Sequence, residues 1–178
     1  MKLGQDIIVA TALELLREQG LDRLNMRALA QRLGVQASAL YWHVGGKDEL
    51  IALMGIEFYR RAYAAAVGAT DWRGWLRALG QEFRVALLAC PDSARLCVLA
   101  RPPDGDATRS GDDLAAPLVA LGLDRGRALA YQGSVLAFTL GWVVYEQSEA
   151  LHDHLSALFS FEQSHHEGLE AMLRGLAD

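Results

Sequence analysis

The chain has 178 residues, of which 52% are hydrophobic and 22% charged, a composition that excludes a disordered or fibrous protein and allows a substantial core. Its longest apolar run, residues 133–144, is shorter than the roughly 20 residues of a membrane-spanning helix, and the amino terminus has no charged-then-apolar export signal, so we expect a cytoplasmic protein without a membrane partner. The net charge of −5 argues at first against a nucleic-acid partner.

The charge is unevenly distributed along the chain. Residues 1–47 hold six Lys/Arg and four Asp/Glu, a balance of +2, whereas the remainder holds eleven and eighteen, a balance of −7. A mildly basic N-terminal segment followed by an acidic remainder is consistent with a protein that contacts phosphates at one end only.

The first predicted elements form a compact group of three helices. A helix over residues 5–19 has apolar residues at helical spacing and ends at Gly20. A second helix is predicted to begin after Asn25, whose side chain suits an N-cap, and to end at Gly34. A third follows over residues 37–43. Two short helices joined by a tight turn have the spacing of a helix-turn-helix, whose second helix can lie in the DNA major groove.

The outer face of the third predicted helix carries side chains that suit a DNA duplex. Arginine can donate two hydrogen bonds to a guanine edge, whereas hydroxyl, imidazole and ammonium groups suit phosphate oxygens. The predicted contacts are Arg27 from the second helix, Ser38, Tyr41, Trp42 and His43 from the third, and Lys47 just beyond it. The alternative is that Tyr41 and Trp42 are core aromatics of a small helical bundle.

The rest of the chain is also predicted to be helical. Residues 47–67 form a long helix whose first turn contains Asp48 and Glu49, which suit the positive end of the helix dipole. A further helix is predicted over residues 72–89, after a cap at Thr70 or Asp71, and another from Pro91 to a point before Pro102. The next contains Pro117 and ends at Leu121. The last two are predicted over residues 125–148, after Asp124, and over residues 160–176. Residues 102–110, rich in Pro, Gly and Asp, are predicted to form a loop.

The helix over residues 125–148 has an unusual pattern. From Ala128 to Tyr145 it is apolar on nearly every side, which predicts burial all round. Gly133, Ala137 and Gly141 recur every four residues, so that another helix could approach closely. Core packing on one side and a partner subunit on the other explains this pattern better than intramolecular packing alone.

The cysteines and histidines do not form a recognisable reactive motif. Cys90 and Cys97 are separated by six residues, and reduced, buried thiols are the expected state. His152, His154, His165 and His166 lie near acidic residues, but they lack the spacing of a two-histidine helical metal site with a catalytic glutamate. We therefore expect neither a metal, nor a cofactor, nor an enzyme.

The segment MRALAQRLGVQASALYWHVGGKDEL closely resembles the DNA-binding part of the tetracycline-repressor (TetR) family, in which L-Y-W-H-V followed by a lysine is distinctive. DWRGWLRALGQEFRVALL, the Arg101-Pro102 pair, AFTLGWVVYEQSE and HEGLEAMLRGL resemble segments of the family's tetracycline-repressor-type C-terminal domain. The resemblance implies an all-α fold of about nine helices, with a helix-turn-helix DNA-binding domain over residues 1–47 and a ligand-binding and dimerisation domain over residues 48–178.

The same resemblance implies a transcriptional regulator, more specifically a repressor released from a palindromic operator on double-stranded DNA by a small-molecule effector. It implies a homodimer joined through its last two long helices, and the residues expected at the interface are Gly133, Ala137, Gly141, Leu169, Met172 and Leu173. Two DNA-binding domains separated by one turn of the DNA helix would match the two half-sites of a palindrome.

The effector site is expected within the helical body. Phe83, Arg101 and Pro102 would line it by resemblance, and Tyr131, Val135 and Phe138 would face it from the long helix, although each could instead be a core residue.

Several expected site positions depart from the tetracycline-responsive members. Cys97 stands where those members have a magnesium-binding imidazole, and Leu79, Ala100 and Tyr63 replace an amide, a hydroxyl and a second histidine. Magnesium disfavours a thiol ligand, so we expect no binding of magnesium-tetracycline. Within the predicted DNA-binding domain, Ala37 replaces a base-reading glutamine and Ala39 replaces a threonine. We therefore expect the contacts with phosphates to be retained and a different base sequence to be recognised.

Two other functions remain open at this stage. The chain could be a ligand-binding helical protein without a DNA function, or a histidine-metal enzyme. Salt-dependent binding to a palindrome would distinguish a regulator from both, because phosphate contacts release counterions.

Overall fold

The computed structural model describes residues 3–100 and 110–177, and this part of the chain forms ten α-helices and no strand. The helices are α1 Gln5–Gln19, α2 Met26–Leu33, α3 Ala37–Tyr41, α4 Lys47–Ala65, α5 Trp72–Leu88, α6 Ser93–Leu99, α7 Gly111–Ala120, α8 Arg125–Gln147, α9 Glu149–Ser156 and α10 Phe161–Gly175. The all-α prediction is confirmed, with one helix more than the nine expected. The loop predicted over residues 102–110 lies almost wholly outside the described residues.

Helices α1–α3 form the head, and local chemistry fixes their ends. The Asn25 side chain accepts a hydrogen bond from the Ala28 amide at 2.9 Å, as an N-cap should. Gly34 adopts the left-handed conformation with φ 69°, which lets the chain turn directly from α2 towards α3. Leu40, the one buried residue of α3, anchors that short helix on the core of the head.

Helix α4 connects the head to the body. It packs against α1 at one end and against α5 and α6 further along, while α5 and α8 form the centre of the body together with α7 and α10. Side-chain caps begin four of these helices, from Asp71 for α5, Ser110 for α7, Asp124 for α8 and Ser160 for α10. A single core runs from the head through α4 into the body.

The start of α6 corrects one prediction. Pro91 does not occupy the first position of that helix, which begins at Ser93 after Asp92. Asp92 has φ 58°, the only non-glycine residue with a positive φ in the described part of the chain. Aspartate tolerates this left-handed conformation better than most residues, and the turn it makes prevents the helix from starting at the proline.

Helix α8 buries one of its sides within the protomer. Its buried residues form a single stripe, Ala128, Gln132, Val135, Thr139 and Val143, and the opposite side is exposed. The core thus covers one side, and the expectation that a partner subunit covers the other side stays a prediction.

Candidate nucleic-acid interface and effector groove

The end of α3 exposes an aromatic and imidazole ridge, which we define as Tyr41, Trp42 and His43. Tyr41 is 52% exposed and Trp42 90%, and His43 is exposed as well. Exposing an indole to water costs hydrophobic free energy, so a residue this exposed has no role in holding the fold. The alternative interpretation, in which these aromatics belong to the core of the bundle, is wrong.

The charged residues predicted to contact DNA lie beside this ridge. Arg27 is exposed on α2 and Lys47 is exposed at the start of α4, and neither forms an ion pair in the described part of the chain. The amide of Gly45 donates to the Glu49 carboxylate at 2.8 Å, which fixes the turn between the ridge and Lys47. The chain from α2 to the start of α4 thus carries two exposed cations, without an ion pair among residues 3–100 and 110–177, and three exposed side chains that can donate hydrogen bonds, as a phosphate-contacting surface requires.

The remaining two predicted contacts differ from each other. Ser38 is exposed on α3, whereas Ala37 is half-buried and packs against the core of the head. Ala37 has no polar side-chain atom, so any reading of bases at the start of α3 falls to its neighbours.

A groove of about 680 Å³ opens in the body between α4, α5 and α7. Tyr63 and Trp75 form its aromatic wall, with ring centroids 5.5 Å apart in an edge-on arrangement. The remaining lining residues are Arg60, Ala64, Val67, Gly68, Ala69, Pro117, Ala120 and Leu121. Its size and its mostly apolar lining, with a few polar groups, match those of small-molecule sites.

Tyr63 connects this groove to α8. Its hydroxyl donates to the Gln132 side-chain oxygen at 2.6 Å, and the Gln132 amide donates to the carbonyl oxygens of Leu114 and Ala128 at 3.0 and 2.9 Å. Gln132 was not among the predicted site residues, although a glutamine in the middle of an apolar helix is a signal of a buried polar contact.

Of the residues predicted to bind an effector, Tyr63 is the one that borders this groove. Leu79, Phe83 and Val135 are fully buried and Cys97 is nearly so, which makes them core residues of the protomer. Tyr131 donates to the Ala177 carbonyl at 3.0 Å, and Phe138 packs on His165 at a centroid distance of 5.5 Å. Arg101 and Pro102 lie outside the described residues.

Two family models match the sequence. One, described as bacterial regulatory proteins of the tetR family, matches residues 8–54, and the other, described as the tetracyclin repressor-like C-terminal domain, matches residues 65–162. This chain belongs to the TetR family. It is therefore a DNA-binding transcriptional regulator that responds to a ligand, and the resemblance seen in the sequence is confirmed.

Individual relatives agree with this assignment. The tetracycline repressor protein class D of Escherichia coli is 31% identical over 175 residues, which cover 97% of this chain and 78% of the relative. The structure of a TetR variant from Acinetobacter baumannii AYE in complex with minocycline is 30% identical, with a TM-score of 0.79 and coverage of 98% and 96% of the two chains. The structure of BioQ with its double-stranded DNA operator is 26% identical, with a TM-score of 0.67 and coverage of 98% of both chains.

In this TetR-family protein the head is held to the body by a latch, which we define as Leu21 and Asp22 of the α1–α2 turn with Asp92 and Arg95 at the start of α6. The Leu21 amide donates to the Asp92 carboxylate at 2.9 Å, and Arg95 forms an ion pair with Asp22 at 2.8 Å. The Arg95 guanidinium lowers the pKa of the Asp22 carboxyl. Because the ion pair is solvent-exposed, the Leu21–Asp92 bond is the stronger part of the latch.

We expect Asp92→Gly to loosen the head, because glycine tolerates the left-handed conformation but cannot accept from Leu21. The free energy of unfolding in urea should fall by about 1–2 kcal/mol, and the Leu21 amide should exchange hydrogen at least about tenfold faster. Asp92→Asn keeps an acceptor oxygen and serves as the matched control. Equal exchange at Leu21 in the glycine and asparagine variants would contradict the latch.

The predicted dimer residues divide into two groups. Gly133, Ala137 and Gly141 lie on the exposed side of α8, and Met172 is half-buried on α10. Leu169 and Leu173 are 0% and 1% exposed in the protomer core, and Leu169 packs against Gly80 of α5. The prediction that these two leucines form a subunit interface is therefore corrected, because their side chains are already covered within one chain.

Helix α8 is also long and apolar enough to cross a membrane by length and composition, with a mean hydropathy of 1.3 in its most apolar window. Single helices of soluble proteins pass the same test. Only 28% of that window is buried, but the helix packs against α5, α7 and α10 as part of the bundle. Since TetR-family regulators are soluble DNA-binding proteins, the exposed side of α8 is better explained as an interaction surface than as a lipid-facing one.

The four C-terminal histidines lie in separate environments. His165 is buried, with its Nε2 atom 3.1 Å from the Thr139 hydroxyl. His152 stacks on Phe161 at a centroid distance of 5.3 Å, and His154 and His166 are exposed. Within residues 3–100 and 110–177, no three His, Cys, Asp or Glu side chains come together as a metal site would need.

Proposed function

We propose that this protein is a homodimeric, cytoplasmic TetR-family repressor that binds a palindromic operator through α3 and is released by a small-molecule effector bound between α4, α5 and α7. The observation that carries the DNA-binding part is the exposed ridge of Tyr41, Trp42 and His43, accompanied by two exposed cations, Arg27 and Lys47, that form no ion pair with the described residues. BioQ, of the same fold, has been solved with its operator, which supports this use of the head. Two copies of the head on one symmetric dimer suit a palindrome.

The homodimer is supported by the exposed side of α8. Gly133 and Gly141 have no atom within 4 Å of the position where a Cβ would stand, so the described part of the chain leaves this side open. The exposed side chains of Val144 and Tyr145 continue the same surface towards the end of the helix. Covering it with α8 and α10 of a second subunit removes the apolar surface from water, which is the main driving force of such an interface.

The residues proposed to contact DNA have two different roles. Arg27 contacts a base edge, whereas the ridge and Lys47 contact phosphates. Arg27→Ala should therefore cost about 1–3 kcal/mol of binding free energy on the preferred operator and relax specificity at one base position. Lys47→Ala should weaken binding evenly on all sequences and reduce the slope of log affinity against log salt by about one.

The experiment starts from selection of bound duplexes out of a random pool, followed by fluorescence anisotropy on the selected palindrome and on single-base variants. A regulator shows salt-dependent binding to a palindrome, whereas a ligand-binding protein without a DNA function, or an enzyme, does not. Identical losses for Arg27→Ala and Lys47→Ala on every sequence would refute the division of roles.

The effector groove adjoins the connector between body and head. Tyr63 lies on α4, so a ligand that displaces its hydroxyl from Gln132 or packs between it and Trp75 acts directly on the helix that reaches the head. A ligand changes the operator affinity only by the amount to which it prefers one arrangement of α4 over another. The effector is therefore expected to be a mostly apolar molecule with a polar group for Tyr63 or Arg60.

We expect no binding of magnesium-tetracycline, because the positions that resemble its site in the tetracycline-responsive members offer no suitable ligand for magnesium here. Cys97 is nearly buried, and burial raises the pKa of its thiol to about 12, so that it remains a neutral sulfur group that magnesium does not favour. Leu79 is fully buried and offers no polar atom. We expect isothermal titration with tetracycline and magnesium to show no saturable binding in the micromolar range. Binding at micromolar affinity or tighter would show that other residues replace the missing ligands.

A further inference from the structure

A second groove, separate from the effector groove, lies between α5 and the start of α10. It has a volume of about 460 Å³, and its walls include Gln81, Arg84 and Val85 from α5 and His165 and His166 from α10. His165 is the buried member of this set, at 3% exposed, and it is fixed between Thr139 and the ring of Phe138. A buried imidazole at the wall of a groove is a preorganised polar group, because neighbouring side chains already hold its ring.

The contact with Thr139 fixes which ring nitrogen of His165 carries the proton. Thr139 is 0% exposed, and within the described residues its hydroxyl has the His165 Nε2 atom as its one partner. A buried hydroxyl that donated to nothing would leave its proton unsatisfied, so the hydroxyl donates and Nε2 accepts. Burial also lowers the pKa of His165 to about 4, so the ring is neutral at pH 7 and Nδ1 carries its single proton.

The Nδ1–H group has no acceptor in the described part of the chain, and no fully buried side-chain nitrogen or oxygen there lacks a partner. Nδ1 is therefore accessible, and the groove is the space that His165 borders. A donor on a side chain that is 97% buried thus points into an open site.

Arg84 provides a second donor beside it. Its Nε and Nη2 atoms donate to the Glu146 carboxylate at 2.9 and 2.7 Å, which leaves Nη1 free of protein acceptors among the described residues. The Arg84 charge also lowers the pKa of His165, and both residues line the groove. Donors from two different helices thus line one groove, and the exposed Val85 side chain supplies an apolar wall.

We propose that the groove between α5 and α10 binds a small organic carboxylate, with one oxygen accepting from His165 Nδ1 and the other from Arg84 Nη1, and with a short apolar chain against Val85. A carboxylate fits because its two acceptor oxygens match two donors, whereas an alcohol has a single acceptor oxygen and a protonated amine has only donors. Because Glu146 already neutralises Arg84, the site selects by hydrogen-bond geometry more than by charge. The proposal does not rest on the proposed function, because it concerns a separate groove of the body and is tested without DNA.

The test uses the full-length protein and sodium butyrate as the probe, with sodium chloride at equal ionic strength as the blank. Ring-nitrogen NMR spectra should first show His165 protonated at Nδ1 and not at Nε2. Butyrate should then shift the Nδ1 signal with saturation, at a Kd of about 1–10 mM, which lies within reach of a ligand of this size. Butyramide, which has one acceptor oxygen and a donor group, should bind at least about tenfold more weakly.

Two matched variants separate the groups involved. In His165→Asn the amide nitrogen occupies the Nδ1 position and keeps the donor, whereas in His165→Gln the amide reaches the Nε2 position and the donor is lost. Butyrate binding, followed by chemical shifts of backbone amides on α10, should be retained in the asparagine variant and fall at least about tenfold in the glutamine variant.

Should both variants fail to fold, Val85→Trp fills the groove from an exposed position and should abolish binding without changing thermal stability. No saturable shift in the wild-type protein, unchanged binding in His165→Gln or in Val85→Trp, or equal binding of butyramide would each overturn the proposal.

Discussion

Replacing Tyr41, Trp42 and His43 together by alanine should lower operator affinity by about 10²–10³-fold and leave the stability of the fold unchanged. Each side chain is expected to give one hydrogen bond to a phosphate, and one such bond contributes about 1–1.5 kcal/mol. Because all three residues are exposed, and Trp42 is 90% exposed, their removal takes nothing from the core. The expected change in the free energy of unfolding is therefore within about 0.5 kcal/mol.

The two quantities are measured on the same preparation, operator affinity by fluorescence anisotropy and stability by urea denaturation. A variant with Val119→Ala and Leu158→Ala, which removes apolar side chains that are also exposed but lie in the body, serves as the control and should change neither quantity. If the triple variant were destabilised by several kcal/mol, the ridge would be part of the fold. If it bound the operator normally, the DNA would be contacted by another surface.

Local rules predicted the head almost completely from the sequence. Asn25 caps α2 and Gly34 ends it, as expected, because these residues act through bonds to their own or adjacent turns. The third helix is shorter than predicted: it ends at Tyr41, and His43 lies in the following turn with its amide donating to the Leu40 carbonyl. Helix ends that depend on tertiary packing are less accessible to sequence reasoning than ends that depend on a cap.

The body was harder to predict because its important contacts join residues far apart in the chain. Gln132 to Tyr63, Asp92 to Leu21 and Gln147 to the carbonyl oxygens of Leu87 and Cys90 are such contacts. No periodicity reveals them, since each needs two elements to be placed first. The polar residues in α8 were the available signal, because a polar side chain in an apolar helix must find a partner when it is buried.

The same reason explains why the effector and dimer residues were harder to predict than those of the head. Phe83 and Leu169 were selected as apolar residues at matching positions, and apolar residues serve equally well in a core, a ligand cavity or an interface. In this chain both are at 0% exposure inside the protomer. Tyr63, an amphipathic residue with a polar tip, is the one residue in the described part of the predicted effector set that lines the groove between α4, α5 and α7.

The second large effect concerns the ion pair that joins α5 to α8. Arg84 and Glu146 form two hydrogen bonds, and their side chains are 15% and 9% exposed. Glu146→Ala leaves the Arg84 guanidinium largely buried without its counter-charge, so we expect the free energy of unfolding to fall by about 3–5 kcal/mol. Urea denaturation followed by far-UV circular dichroism measures this loss.

A double variant tests the cause of that loss. Arg84→Met with Glu146→Leu removes both charges and keeps most of the side-chain volume, so its stability should lie within about 1 kcal/mol of wild type or above it. The comparison separates the cost of an unpaired buried charge from the cost of lost packing, because only the single variant leaves a charge behind. Should the single variant lose less than about 1 kcal/mol, water must reach Arg84 more freely than its exposure indicates. Helix α8 would then be held on α5 mainly by its apolar stripe and by Gln147, whose amide donates to the Cys90 carbonyl at 2.8 Å.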